Sequence, residues 1–262
     1  MIALWLFLLA ATPQEDAMDA ARELARAASA APEETRAVLF QKTLDAYGAI
    51  LKRWPKDREL IPKVRRRRAK VLQQLGKVRE AIAEHDAVVT GRFSRYDRAR
   101  ALLEGAKIAD KAGQAHVAAL RCKQARERFG DEGSIISKAL LLEAACFQKM
   151  SRPKQATRLY AELVDKHSDR AKEAVAAYDA LALMEIDAGR LDRARRWLRR
   201  CAKRYEKRAA RGDRWGLHVG RLLGDMKAPR ALAEKSNASR KPCDADAGGD
   251  VAGGTTGRRR GS

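Results

Sequence analysis

The sequence predicts an all-α chain, an α-solenoid of about five to six stacked antiparallel helix pairs. Three observations carry that reading. Aromatic residues make up only 5% of the chain while 45% of it is hydrophobic, much of that Ala and Leu. Small and straight-chain side chains suit helix packed on helix better than strand packed on strand. A triad at offsets of four and seven, which puts three side chains on one helical face, recurs as Thr43-Tyr47-Ile50, Ala81-His85-Val88, Ala118-Cys122-Ala125, Ala156-Tyr160-Leu163 and Ala194-Leu198-Cys201. Its starting positions are spaced 38, 37, 38 and 38 residues apart. Finally, other residues keep the same period: Gly76, Gly113, Ser151 and Gly189 stand five before the triad, and Ala31, Ala69, Ala106, Ala144 and Ala182 stand twelve before it.

Taken from the N-terminus, residues 2–11 are ten apolar residues followed by "TPQEDA". That run is too short to span a membrane and suits the core of an export signal, with Leu9-Ala10-Ala11 as the cleavage site. Residues 1–16 are therefore expected to be a signal peptide or short hydrophobic leader, although no Lys or Arg precedes the run. The expected location is exported, periplasmic or envelope-associated, with an uncleaved membrane anchor as the alternative. Residues 17–235 form the solenoid body. Its first unit is degenerate, with Val38 where a turn residue is expected.

Units two to five each read as helix, tight turn, helix and a longer connector such as "RWPKDRELI" or "RFGDEGSI". The turn needs a residue tolerant of left-handed backbone, and the recurrent Ala implies close approach of the two helices. Leu102, Leu140 and Tyr178, sixteen before the triad, add bulk to the same face. One pair cannot bury both its apolar faces, but stacked pairs build a continuous core. A sixth, degenerate unit is expected at "RWGLHVGRLLGDMKAPRALAEK". Residues 236–262, rich in Gly, Ser, Thr and Asp, are expected to be a disordered tail.

The formal charge is +21, and its distribution matters. Residues 1–16 carry −2 and the tail +2, so the body holds all of the excess. Such a body attracts polyanions, anionic surfaces or acidic protein segments. The sharpest cluster is "VRRRRAKV", residues 64–71, whose four arginines point around most of a helix and cannot all share one face. No HExxH, GxSxG, P-loop or GxGxxG motif occurs. The four histidines are isolated, and the acidic pairs Glu33-Glu34 and Asp131-Glu132 fall where helices begin. No catalytic function, metal or cofactor is expected. The four cysteines show no CxxC, and Cys122, Cys146 and Cys201 read as buried small hydrophobes.

Turn Gly, Ala five later, a bulky residue four further on, and a terminal breaker such as Pro55 together resemble the tetratricopeptide repeat family. The period near 38 is longer than that family's usual 34, similar to lengthened repeats in bacterial envelope members. The resemblance implies a concave groove lined by the first helix of each unit. Carried onto this numbering, it implies Lys63, Arg66, Lys70 and Gln73 from unit two, and Arg100, Leu103, Lys107 and Lys111 from unit three. Unit four would add Lys138, Leu141, Gln148 and Lys149, and unit five Asp179, Leu183, Ile186 and Asp187. The implied groove is basic over three units and then turns apolar and acidic. The body contains no Asn, which argues against the family's carboxylate clamp.

The function expected is protein–protein interaction through an acidic or mixed acidic/apolar segment held in that groove, with no small-molecule substrate. The alternative is binding of a nucleic acid or an anionic envelope polymer. Export and the lack of aromatic residues among the basic ones make nucleic acid the weaker choice.

Overall fold

The computed structural model describes residues 12–209, which hold ten helices and no strand. The apolar run 2–11, the sixth unit, the tail and Cys243 lie outside them. The helices are α1 (Pro13–Ala30), α2 (Glu33–Arg53), α3 (Leu60–Gln74), α4 (Val78–Thr90), α5 (Arg95–Lys111), α6 (Ala115–Arg128), α7 (Gly133–Lys149), α8 (Pro153–Lys166), α9 (Ala171–Asp187) and α10 (Leu191–Ala209). Each packs against the next in sequence, giving five antiparallel pairs, so the α-solenoid expected from the repeat is the fold.

The helix ends follow local chemistry. Thr12 and Glu15 form a capping box at the start of α1, with Pro13 in its first turn. The Asp57 carboxylate accepts from the Leu60 and Glu59 amides ahead of α3, and the Ser94 hydroxyl accepts from the Asp97 amide at α5. The four short turns inside units two to five close alike. Gly76, Gly113 and Gly189 have φ of +72° to +74°, and Ser151 has +56°. The residue after each donates its amide five residues back: Lys77 to Leu72, Gln114 to Ala109, Arg152 to Phe147 and Arg190 to Glu185. This is the six-to-one bond of a Schellman cap, which the left-handed residue makes possible.

Within each of these pairs the recurrent alanines are fully or almost fully buried: Ala69, Ala106, Ala144 and Ala182 on the first helix, Ala81, Ala118, Ala156 and Ala194 on the second. Leu102, Leu140 and Tyr178 are buried beside them. The core runs along the solenoid as clusters joined by shared side chains, Ile82 and Phe147 being two of the links. Cys122, Cys146 and Cys201 are free and buried as small hydrophobes.

The first unit departs from the others. Its helices are joined by Ala31-Pro32 in extended backbone with no left-handed residue, and Ala31 ends α1 instead of packing inside a pair. Thr43 is the eleventh residue of α2, whereas Ala81, Ala118, Ala156 and Ala194 are each the fourth residue of their helices. The seven extra residues are two helical turns, so Thr43, Tyr47 and Ile50 still face the core and are buried. Val38, inside those added turns, is 57% exposed.

Candidate interaction groove

Successive first helices touch one another: α1 meets α3, α3 meets α5, α5 meets α7, and α7 meets α9. Contacts between successive second helices are slighter, so the stack is tighter on the first-helix side, which forms its inner face. Two open cavities occupy that face. One, of about 520 Å³, lies between α1 and α3 and is lined by Arg22, Arg26, Tyr47, Arg67, Lys70 and their neighbours. The other, of about 490 Å³, lies between α3 and α5 and reaches Leu142 on α7.

This second cavity brings together five of the residues named from the sequence: Arg66, Lys70, Arg100, Lys107 and Lys111, with Gln73 beside them. Arg67 and Lys70 line both cavities, so the two adjoin across α3 with these side chains between them. Geometry on α3 separates the four consecutive arginines into two jobs. Arg65 and Arg68 turn towards α4, where each holds a Glu84 oxygen at 3.0 Å. Arg66 and Arg67 turn towards the inner face, and neither forms an ion pair with a described residue.

Charge in the groove is unevenly balanced. Lys107 pairs with Glu104 at 2.9 Å, and Lys149 reaches back from α7 to Asp110 at 2.6 Å. Arg22 pairs with Asp19 at 2.5 Å, and its buried Nε has no hydrogen-bond partner among the described residues. Arg66, Arg67, Lys70, Arg100 and Lys111 have no ion-pair partner among the described residues. Burial, then Arg100 and Arg67, hold the Arg66 guanidinium below its ordinary value, against the pull of Glu104 and Asp97. At the base of the same cavity, burial pushes the His85 imidazole down to about 4. Tyr47 underlies the first cavity; burial raises its phenol, while nearby Arg67 and Arg22 pull the other way.

Not every named residue reaches the groove. Leu103 is 1% exposed and belongs to the core, a correction to its expected place on the inner face. The cause is the crowding of α5, which α3, α4, α6 and α7 all touch, leaving Arg100, Glu104, Lys107 and Lys111 as its open stripe. Lys63 and Lys138 are exposed but line neither cavity. Leu141 is half-buried against the core of units four and five, and its neighbour Leu142 takes the groove position. Lys149 is engaged by Asp110. In unit five, Leu183 is 38% exposed, while Asp187, Glu185 and Met184 line a separate cavity of about 580 Å³ that includes Gln148.

The sequence reading missed Arg22 and Arg26. Their spacing of four on α1 would have revealed them had the first unit been aligned on its own turn. No group of three His, Cys, Asp or Glu among the described residues could hold a metal ion. No described helix is long and apolar enough to cross a membrane.

No protein-family model matches the chain, and no curated protein matches it. Solved structures similar to it include a crystal structure of MamA, 18% identical with a TM-score of 0.49, covering 68% of this chain and 96% of that one. A crystal structure of MamA protein is 16% identical, with a TM-score of 0.48 and coverage of 72% and 94%. A crystal structure of BtubC (BKLC) from P. vanneervenii is 15% identical, with a TM-score of 0.50, covering 94% of this chain and all of that one. At 15% identity the likeness to the last of these is one of fold alone.

Proposed function

We propose that this chain is a solenoid of the tetratricopeptide-repeat type, exported to the bacterial envelope, and that it acts as a protein-interaction scaffold. Its inner groove takes an acidic or mixed acidic/apolar segment of a partner protein. The observation that carries this is the convergence of Arg66, Arg67, Lys70, Arg100 and Lys111 on one cavity, with no ion pair from any of them to a described carboxylate. Each such cation is weak alone, since exposed pairs contribute about 0–1 kcal/mol. Several converging on one ligand give both affinity and fast encounter. Leu142 and Ile108 supply apolar contact beside the charges.

The test is capture of partners from the native host's envelope fraction by the whole chain, at about 50 and about 500 mM salt, where the screening length shrinks from roughly 14 Å to 4 Å. Discrete proteins retained by the wild type and lost by the Arg66→Glu/Arg100→Glu variant support the reading. Proteins retained equally by both would place binding elsewhere. The second reading, polyanion binding, draws on the +21 charge. It predicts capture of nucleic acid or anionic polymer alone, falling by orders of magnitude between those salts.

A further inference from the structure

Resting on the groove reading above, we propose that the partner segment lies across α3 as a polyproline-II-like strand with two acidic residues three positions apart, one seated in each cavity. The cavities occupy successive valleys of the inner face, α1–α3 and α3–α5, and share Arg67 and Lys70 on the ridge between them. The first offers Arg22 and Arg26, which pair with Asp19 and Glu23 on their own helix, beside the shared Arg67 and Lys70, which have no ion-pair partner among the described residues. The second offers Arg66, Arg100 and Lys111. Each valley thus gathers several cations, those of the second without carboxylate partners among the described residues and those of the first partly matched by Asp19 and Glu23.

Spacing selects the conformation. Helices in direct contact have axes about 8–10 Å apart, so adjacent valleys repeat at that step. Two acidic side chains leaving one side of a bound strand must match it. A polyproline-II strand rises about 3.1 Å per residue with three residues per turn, which puts positions i and i+3 on one side at ~9 Å. In a β-strand, same-side residues fall at ~7 or ~13 Å, and i+3 points to the opposite side. A bound helix would offer i and i+7 at about 10.5 Å. It would also have to bury an apolar stripe, and the apolar groove residues, Ala25, Ala30, Val71, Ile108 and Leu142, are scattered among the charges. Nucleic acid lacks a stacking platform here, because among the described residues Tyr47 and His85 are the ring-bearing side chains lining the cavities and are 1% and 3% exposed.

The experiment measures binding of the full-length protein to labelled Gly/Ser/Pro peptides of equal length and charge, with two Glu residues two, three, four or seven apart, by fluorescence anisotropy at about 50 mM salt. A peptide with one Glu serves as reference. We expect the spacing of three to bind about ten-fold more tightly than two or four. Arg66→Gln/Arg100→Gln and Arg22→Gln/Arg26→Gln should each reduce that peptide to the affinity of the single-Glu reference. Circular dichroism of both variants confirms that the helices remain. Equal affinity at all spacings, still lost in the variants, would overturn the spacing rule and leave the groove reading standing. An optimum at seven would do the same in favour of a helical occupant. Failure of every peptide to bind, or binding indifferent to both variants, would overturn the groove reading as well. Tighter binding of a thymidine homopolymer, lost in the same variants, would replace the peptide with a polyanion.

Discussion

Gly105 shows how one side chain, or its absence, fixes the middle of the molecule. A methyl group there would stand 2.6–2.9 Å from the Arg121 guanidinium, which lies over α5 with its side chain 10% exposed and is held by Asp86 at 2.5 Å. In a free helix, Ala would gain about 1 kcal/mol over Gly. Here the Arg121 guanidinium must move aside and loosen its hold on the half-exposed Asp86, so Gly105→Ala should lose that gain and leave stability within about 1 kcal/mol of the wild type. In an Arg121→Ala background the same change should stabilise, and a double-mutant cycle by urea unfolding reads the coupling. His85 gives a pH signature. With its folded value near 4 and an ordinary value of 6.5, the unfolded chain alone takes the proton between those limits. Stability therefore falls as pH drops from about 6.5 to 4, by of order 3 kcal/mol in total. The His85→Gln variant should lose less stability between pH 7 and 4.5 than the wild type. At this scale the sequence was half legible. Helical geometry says that Arg65–Arg68 cannot share a face, but which two reach the groove depends on Glu84, nineteen residues further on, across a turn.

At the level of helices and turns, Ser151 is the exception that tests the rule. It occupies at φ +56° the place that glycine fills in three sister turns, at a cost of roughly 1–2 kcal/mol for a residue with a Cβ. Greater freedom of glycine in the unfolded chain offsets part of that. Ser151→Gly should therefore raise stability by about 0.5–1 kcal/mol, seen as a higher melting temperature. The turns and the buried faces of α3–α10 could be read directly, because a local backbone requirement and a helical period both leave marks at fixed spacing. Leu103 could not. Its burial follows from α5 touching four other helices, and the number of neighbours a helix has is no property of its own sequence. The α1–α2 turn was also hidden, because Ala31-Pro32 closes it without the glycine that marks the others.

As a whole the molecule carries more positive charge than its internal pairs neutralise. The inner face concentrates cations that repel one another, so low salt should weaken the fold. Raising salt from about 10 to about 150 mM, which shortens the screening length from ~30 to ~8 Å, should raise the melting temperature. The gain should be smaller in Arg66→Gln/Arg100→Gln, where part of the repulsion is gone. The solenoid was legible because each unit meets chiefly its neighbours, so that a period along the chain becomes a period in space. The depth and division of the groove were less so, since they depend on how much tighter the inner helices pack than the outer ones.

The two additional turns of α2 set the increment by which such a unit can lengthen. Seven residues rotate a helix by about 700°, within 20° of closing on itself, so the added stretch leaves Thr43, Tyr47 and Ile50 facing inward. One residue more or fewer would swing that stripe by about 100° and set the triad against water. Growth in this architecture thus comes in near-whole pairs of turns. An inserted heptad is tolerated where a single inserted residue is not, which makes helix length a discrete variable for anyone redesigning the scaffold.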